Sequence, residues 1–116
     1  MNREQRHPNE FERAILDRIV RDTMWLRDTS RSLRVTQREY TGVGSYTDFE
    51  CDVPKSEEVR HVNLNVLIRV SNVPSGMGAV LWCCGTSPEC LEIFTFGEDS
   101  WDGTYDGFDF EASNDA

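Results

Sequence analysis

Apolar residues change their spacing along this chain, and each change marks a change of element. Early on they recur at Phe11, Ile15 and Ile19, with Ala14 and Leu16 widening the stripe, while Arg13, Asp17, Arg18 and Arg21 take the other side. This spacing predicts an amphipathic helix of about three turns. Asn9 stands where an N-cap is wanted, and Glu12, three residues on, completes the pattern of a capping box. The stripe loses register near Asp22 and Thr23, because Met24, Trp25 and Leu26 are consecutive. A second short helix, following a kink and running to about Ser32, is expected there. Residues 1–8 form a polar leader ended by Pro8.

From Leu33 onward the period becomes two, as in a half-buried strand. Val35, Gln37 and Glu39 alternate with Arg34, Thr36 and Arg38, and Tyr40 leads into Thr41-Gly42-Val43-Gly44. A strand bent or bulged at the two glycines is expected, since glycine accepts the positive φ that such irregularities need. Tyr46 to Glu50 continues as a second strand, and Pro54 to Glu58 is a polar connection. Val59 to Val73 reads as one long strand with Val62, Leu64, Val66, Ile68 and Val70 on its buried face. Pro74-Ser75-Gly76 is expected to turn the chain. Gly78 to Cys84 and Cys90 to Phe96 then form a hairpin, joined through Gly85 to Glu89. The expected fold is α+β: an N-terminal amphipathic helix, kinked into two or not, packed on a mostly antiparallel sheet of four to five strands. Residues 1–116 make a single domain, with 98–116 as an acidic C-terminal segment.

Composition narrows the picture. The 116 residues, 38% hydrophobic and 28% charged, suffice for one core in an ordinary globular chain. The longest apolar stretches are far shorter than a membrane span, and the N-terminus lacks the apolar region of a secretory signal, so a cytoplasmic location is expected. The net charge of −9 is unevenly spread. Residues 1–40 carry nine arginines against seven acids, whereas residues 41–116 carry only Lys55, Arg60 and Arg69 against fourteen acids. That acidic part would repel nucleic acid and attract a basic protein surface. Cys51, Cys83, Cys84 and Cys90 make no C-x-x-C pair, and His7 and His61 are not spaced as ligands, so neither a metal nor a cofactor is expected.

Three stretches together resemble a family of small, largely uncharacterised bacterial proteins. They are Arg38 to Glu50 (REYTGVGSYTDFE), Gly78 to Trp82 (GAVLW), and Cys90 to Trp101 (CLEIFTFGEDSW). The family has the same order of parts: a helix, a "reYTGvGfyTdFe" strand pair, an apolar strand, and a "LEgytygdepWP" segment. The resemblance covers roughly residues 11–111 and implies a fold without an activity. This chain departs from it at Cys83-Cys84 and at Asp102, which stands where the family has proline. Small acidic proteins of this kind look like immunity proteins of toxin systems, by analogy.

Several constellations invite chemistry, each with a plainer reading beside it. The Thr41-Gly42-Val43-Gly44 turn could cradle a phosphate, but neither the helix nor the lysine of a phosphate loop follows. Asp48, Glu50 and Asp52 alternate on one strand face, as an acid–base pair or a solvated face would. Glu92 shares a face with Cys90 and Phe94, so it either meets solvent or is a buried acid served by an arginine or a tyrosine hydroxyl. A nucleophile–base dyad would have to use His61, with Cys51 as nucleophile. The segment after Gly97 sets Trp101, Tyr105, Phe108 and Phe110 among carboxylates; these rings either anchor a partner, or Trp101, Phe108 and Phe110 pack on the sheet and leave the acids solvated.

The reading these features favour is a non-enzymatic, immunity-type inhibitor that binds a basic toxin or nuclease domain. Its expected partner-binding residues are Glu98, Asp99, Trp101, Asp102, Tyr105, Asp106 and Asp109. Two alternatives stand beside it. One is a phage or mobile-element inhibitor of a nucleic-acid-binding complex, in the manner of an anti-CRISPR mimic. The other is a small enzyme or ligand-binding domain using Glu92, Asp48 and His61 in one concave pocket.

Overall fold

A computed structural model describes residues 7–26 and 32–112. Most of the leader, the continuation of the second helix past Leu26, and the last four residues of the acidic segment lie outside them. The helix forms as its spacing predicts: α1 spans Glu10–Arg21. Asn9 accepts from the Glu12 amide while Glu12 accepts from the Asn9 amide, so both halves of the capping box are present. Glu10 and Glu12 in the first turn and Arg18 and Arg21 in the last complement the helix dipole. Phe11, Ile15, Leu16 and Ile19 are buried on the sheet. The register break after Arg21 becomes a single 3-10 turn, Met24–Leu26.

The sheet has seven strands rather than four to five: β1 (Arg34–Tyr40), β2 (Gly44–Glu50), β3 (Val59–Asn63), β4 (Val66–Val70), β5 (Val73–Cys84), β6 (Ser87–Thr95) and β7 (Asp109–Ala112). They lie in the order β1-β2-β6-β5-β4-β7, with β3 also paired to β5 and every pairing antiparallel. Three local causes raise the number. First, the long strand of residues 59–73 is interrupted at Leu64 and Asn65. Its two parts, β3 and β4, still run end to end along the same edge of β5, and Leu64 still donates to Ala79 O at 2.9 Å. The expected phase survives the break, with Val66, Ile68 and Val70 buried.

Second, the glycines at 42 and 44 close a hairpin instead of bending one strand. Gly42 has φ 90°, and Thr41 N donates to Gly44 O at 3.0 Å. Gly44 is needed for close approach, because a Cβ there would sit 2.0 Å from the Ile93 carbonyl oxygen. Third, part of the acidic segment is itself a strand: β7 pairs with β4, opposing Ile68 to Phe110. The expected turn at Pro74-Ser75-Gly76 falls inside β5 instead, and the chain reverses at Ser71 and Asn72.

One core lies between α1 and the inner face of the sheet, built on Phe11, Ile15, Leu16, Leu26, Ile68, Met77, Leu81, Leu91 and Ile93. No helix among the described residues is long and apolar enough to cross a membrane.

Candidate functional site

Alternation along the strands sorts the polar residues onto two faces, and the two faces differ in kind. On the inner face Glu12, only 2% exposed, is fully engaged. Its Oε1 accepts from Asn9 N at 2.8 Å and Arg38 Nη2 at 2.6 Å, and its Oε2 accepts from Arg38 Nε at 2.8 Å and Thr47 Oγ1 at 2.7 Å. The fork-to-fork hydrogen bonds with Glu12 hold the Arg38 guanidinium above its ordinary pKa. A buried carboxylate with a cation and two further donors is internally neutralised. It ties the helix start to β1 and β2.

The C-terminal aromatics are on this side too. Trp101 is 4% exposed and donates Nε1–H to Thr104 O at 2.7 Å. Phe11 lies beneath the segment, with ring centroids 5.9 Å from Trp101, 5.0 Å from Tyr105 (stacked) and 5.1 Å from Phe108 (edge-on). Tyr40 closes the cluster 5.7 Å from Trp101.

Several carboxylates expected to meet a partner also make hydrogen bonds within the chain. Asp99 Oδ2 accepts from Ser75 N at 2.7 Å. Asp102 Oδ1 accepts from the Thr104 hydroxyl at 2.6 Å, the Thr104 amide at 3.0 Å and Asn72 Nδ2 at 3.3 Å; led by Thr104, these bonds lower its pKa. Asp109 accepts from the Phe110 amide at 2.9 Å. Of the seven expected partner-binding residues, Glu98 and Asp106 are exposed with no hydrogen bond or ion pair among the described residues, Tyr105 is half-buried, and Trp101 is core.

The outer face carries the other arrangement, and β2 switches between the two within one step. Thr47 points inward to Glu12, while its neighbour Tyr46 points outward and stands opposite Glu92. Glu92 in turn opposes Val80, and Trp82 reaches it diagonally. Trp82 Nε1 donates to Glu92 Oε1 at 3.2 Å, and Tyr46 Oη reaches Glu92 Oε2 at 3.5 Å. The negative charge of Glu92 is the main cause that raises the Tyr46 phenol above its ordinary pKa. Both rings stay accessible, Tyr46 at 43% and Trp82 at 38%. His61 packs 5.2 Å from Trp82. Phe94 and the 42% exposed Phe96 meet edge-on over Gly78, where a Cβ would come within 2.9 Å of both rings. The two expected options for Glu92 thus combine: it is partly exposed and is served by a tyrosine hydroxyl.

Comparison with protein-family models, with curated proteins and with solved structures found no match. Any functional reading therefore rests on the geometry.

Asp48, Glu92 and His61 do share the outer face, yet Asp48 and His61 do not converge. Cys90 and Trp82 stand between them in one cross-strand row, Asp48–Cys90–Trp82–His61. Three strand spacings separate the ends, about 14 Å. Asp48 is engaged with the Cys90 thiol, whose pKa rises to about 12, chiefly through burial. Glu50 and Asp52 both pair with Arg34, at 3.2 Å each, so that run is a salt-bridged surface. Cys51 packs on the core with its Sγ 3.4 Å from Ser87 Oγ, whereas His61 is exposed on the outer face. In the glycine turn, the Thr41 amide donates to Gly44 O and the Val43 amide to Thr41 Oγ1, so neither is presented to an anion. No group of three or more metal-ligating side chains occurs among the described residues.

Alternation puts Glu92 on one face with Cys90 and Phe94 and leaves open whether that face is buried. The contact of Glu92 with Trp82 depends on the register of β5 against β6 and not on either strand's own pattern, so spacing does not reveal it.

Proposed function

We propose that this chain is a non-catalytic binding protein whose outer sheet face receives a basic protein partner, in the manner of an immunity-type inhibitor of a toxin or nuclease domain. One observation carries the reading: where the cations of the strands and their connections go. Arg34, Arg38, Lys55, Arg60 and Arg69 are each paired with an acid inside the chain. Glu39, Asp48 and Glu92, all on the outer face, form no salt bridge among the described residues. Accessible aromatic rings surround these carboxylates, and aromatic anchors amid charge of one sign are the composition of a docking surface. The acidic C-terminal segment is a weaker site, because its rings and several of its acids are committed internally.

The test is capture from a host lysate with two baits, the wild-type chain and the Glu39→Lys, Asp48→Lys, Glu92→Lys variant. The expected partner is basic, is released by salt, and binds the variant at least about tenfold more weakly. Once purified, it should lose its nucleic-acid-directed activity when the wild-type chain is added in equal amount. A partner that is acidic, or that both baits hold equally, would contradict the proposal.

A further inference from the structure

We infer that Glu92, Tyr46 and Trp82 form a receptor for a single arginine side chain of the partner, an assignment that rests on the outer face being the docking surface. Three features of the site select this occupant.

The first is the state of the carboxylate. Each oxygen of Glu92 takes one hydrogen bond from a neutral donor, Trp82 N–H on Oε1 and Tyr46 O–H on Oε2. A carboxylate oxygen has two lone-pair sites, so one on each oxygen is left over. The head group is thus oriented in advance, while its charge is not cancelled. Arg38 does cancel the charge of Glu12 on the inner face, whereas no salt bridge among the described residues reaches Glu92.

The second is geometry. Two free acceptor positions on one planar group match the paired N–H donors of a guanidinium, and a lysine ammonium cannot fill both in one plane. The third is the pair of rings beside the carboxylate. Tyr46 and Trp82 contact Glu92 from the strands on either side of it and remain exposed. Guanidinium planes stack on aromatic faces and are less strongly hydrated than ammonium, so these rings favour arginine over lysine a second time. The chain already contains such a contact: the Arg60 guanidinium lies 5.1 Å from the centre of the Trp25 ring. Glu39, opposite Tyr46 on β1, and Asp48, two residues along β2, supply negative charge for flanking cations of the same segment.

Calorimetric titration of the full chain with hexaarginine, hexalysine and hexacitrulline peptides at physiological salt tests the assignment. Citrulline keeps the shape of arginine without its charge. Hexaarginine is expected to bind at least about fivefold more tightly than hexalysine, with hexacitrulline weaker than both. Glu92→Gln, which preserves shape and exposure, should weaken hexaarginine by about tenfold and remove most of its advantage over hexalysine. If Glu92→Gln stays within about twofold of wild type while the Glu98→Lys, Asp106→Lys variant loses about tenfold, the receptor is refuted and the basic-partner reading survives. Equal losses toward the two basic peptides would overturn arginine as the occupant. If neither basic peptide outbinds hexacitrulline, the receptor and the docking surface fail together.

Discussion

Glu12 and Glu92 meet neighbouring residues of one strand, β2, from opposite sides of the sheet. Glu12 takes a hydrogen bond from Thr47 and Glu92 one from Tyr46, and beyond that their circumstances diverge. Glu12 is sealed from solvent with Arg38 across two short bonds, and its charge is spent on holding the helix to the sheet. Glu92 is only partly covered, is held by neutral donors, and keeps its charge. A carboxylate given a cation by its own fold is part of the structure. Glu92, oriented beside two exposed aromatic rings and left without a cation, offers its charge to another molecule.

The largest effect that would break this comparison is on stability. Glu12→Gln strands the Arg38 guanidinium, 15% exposed, without its anion, while glutamine can still serve the capping box. Losing one partner of a buried pair costs about 3–5 kcal/mol. Glu92→Gln, on the open face, should cost within about 0.5 kcal/mol. Urea denaturation of both variants reads the difference directly, and equal losses would erase the distinction drawn between the two carboxylates.

A second contrast is between two tryptophans, Trp101 in the acidic C-terminal segment but buried and Trp82 in the apolar strand β5 but exposed. Trp101→Ala empties a site lined by Phe11 and Tyr40 and is expected to cost about 3–5 kcal/mol. Trp82→Ala removes a ring that is 38% exposed and should cost less than half as much while weakening binding of a basic partner. The reverse order of thermal stabilities would put the interaction face back on the C-terminal segment.

These contrasts also separate what the sequence reveals from what it conceals. Helix α1, its capping box and the face that Glu92 shares with Cys90 and Phe94 depend on residues three or four apart, or on a period of two, and all are legible locally. What escaped reading depends on partners far along the chain. Arg38 looks like one more alternating polar position of a strand until the fold brings it 2.6 Å from Glu12, 26 residues away. Asp109 to Ala112 looks like solvated tail, because its strand character comes from pairing with β4. The same holds for Trp101, which spacing alone assigns equally well to an interface or to a core, and for Tyr105, which reads as an interface residue. Phe11 decides between the two, by stacking on one and tilting against the other.

A smaller effect sharpens the electrostatic half of the comparison. The charge of Glu92 favours the neutral phenol of Tyr46, which is why that group titrates above its ordinary range. Neutralising Glu92 as glutamine removes the main cause, so Tyr46 should ionise at lower pH than in wild type. Absorbance titration of the phenolate, compared with the Tyr46→Phe variant to assign the signal, measures the shift. An unmoved or raised midpoint would mean that Glu92 does not carry its charge beside Tyr46.

The most direct test uses the three indoles as reporters in one two-dimensional nitrogen–proton spectrum. Trp25 lies under Arg60, Trp82 on Glu92, and Trp101 inside the core against Phe11. Added stepwise to the full chain, hexaarginine is predicted to move the Trp82 indole resonance progressively while those of Trp25 and Trp101 stay in place. A spectrum in which the Trp101 indole moves and that of Trp82 stays still would contradict the claim that the outer face of the sheet is where this protein meets its partner.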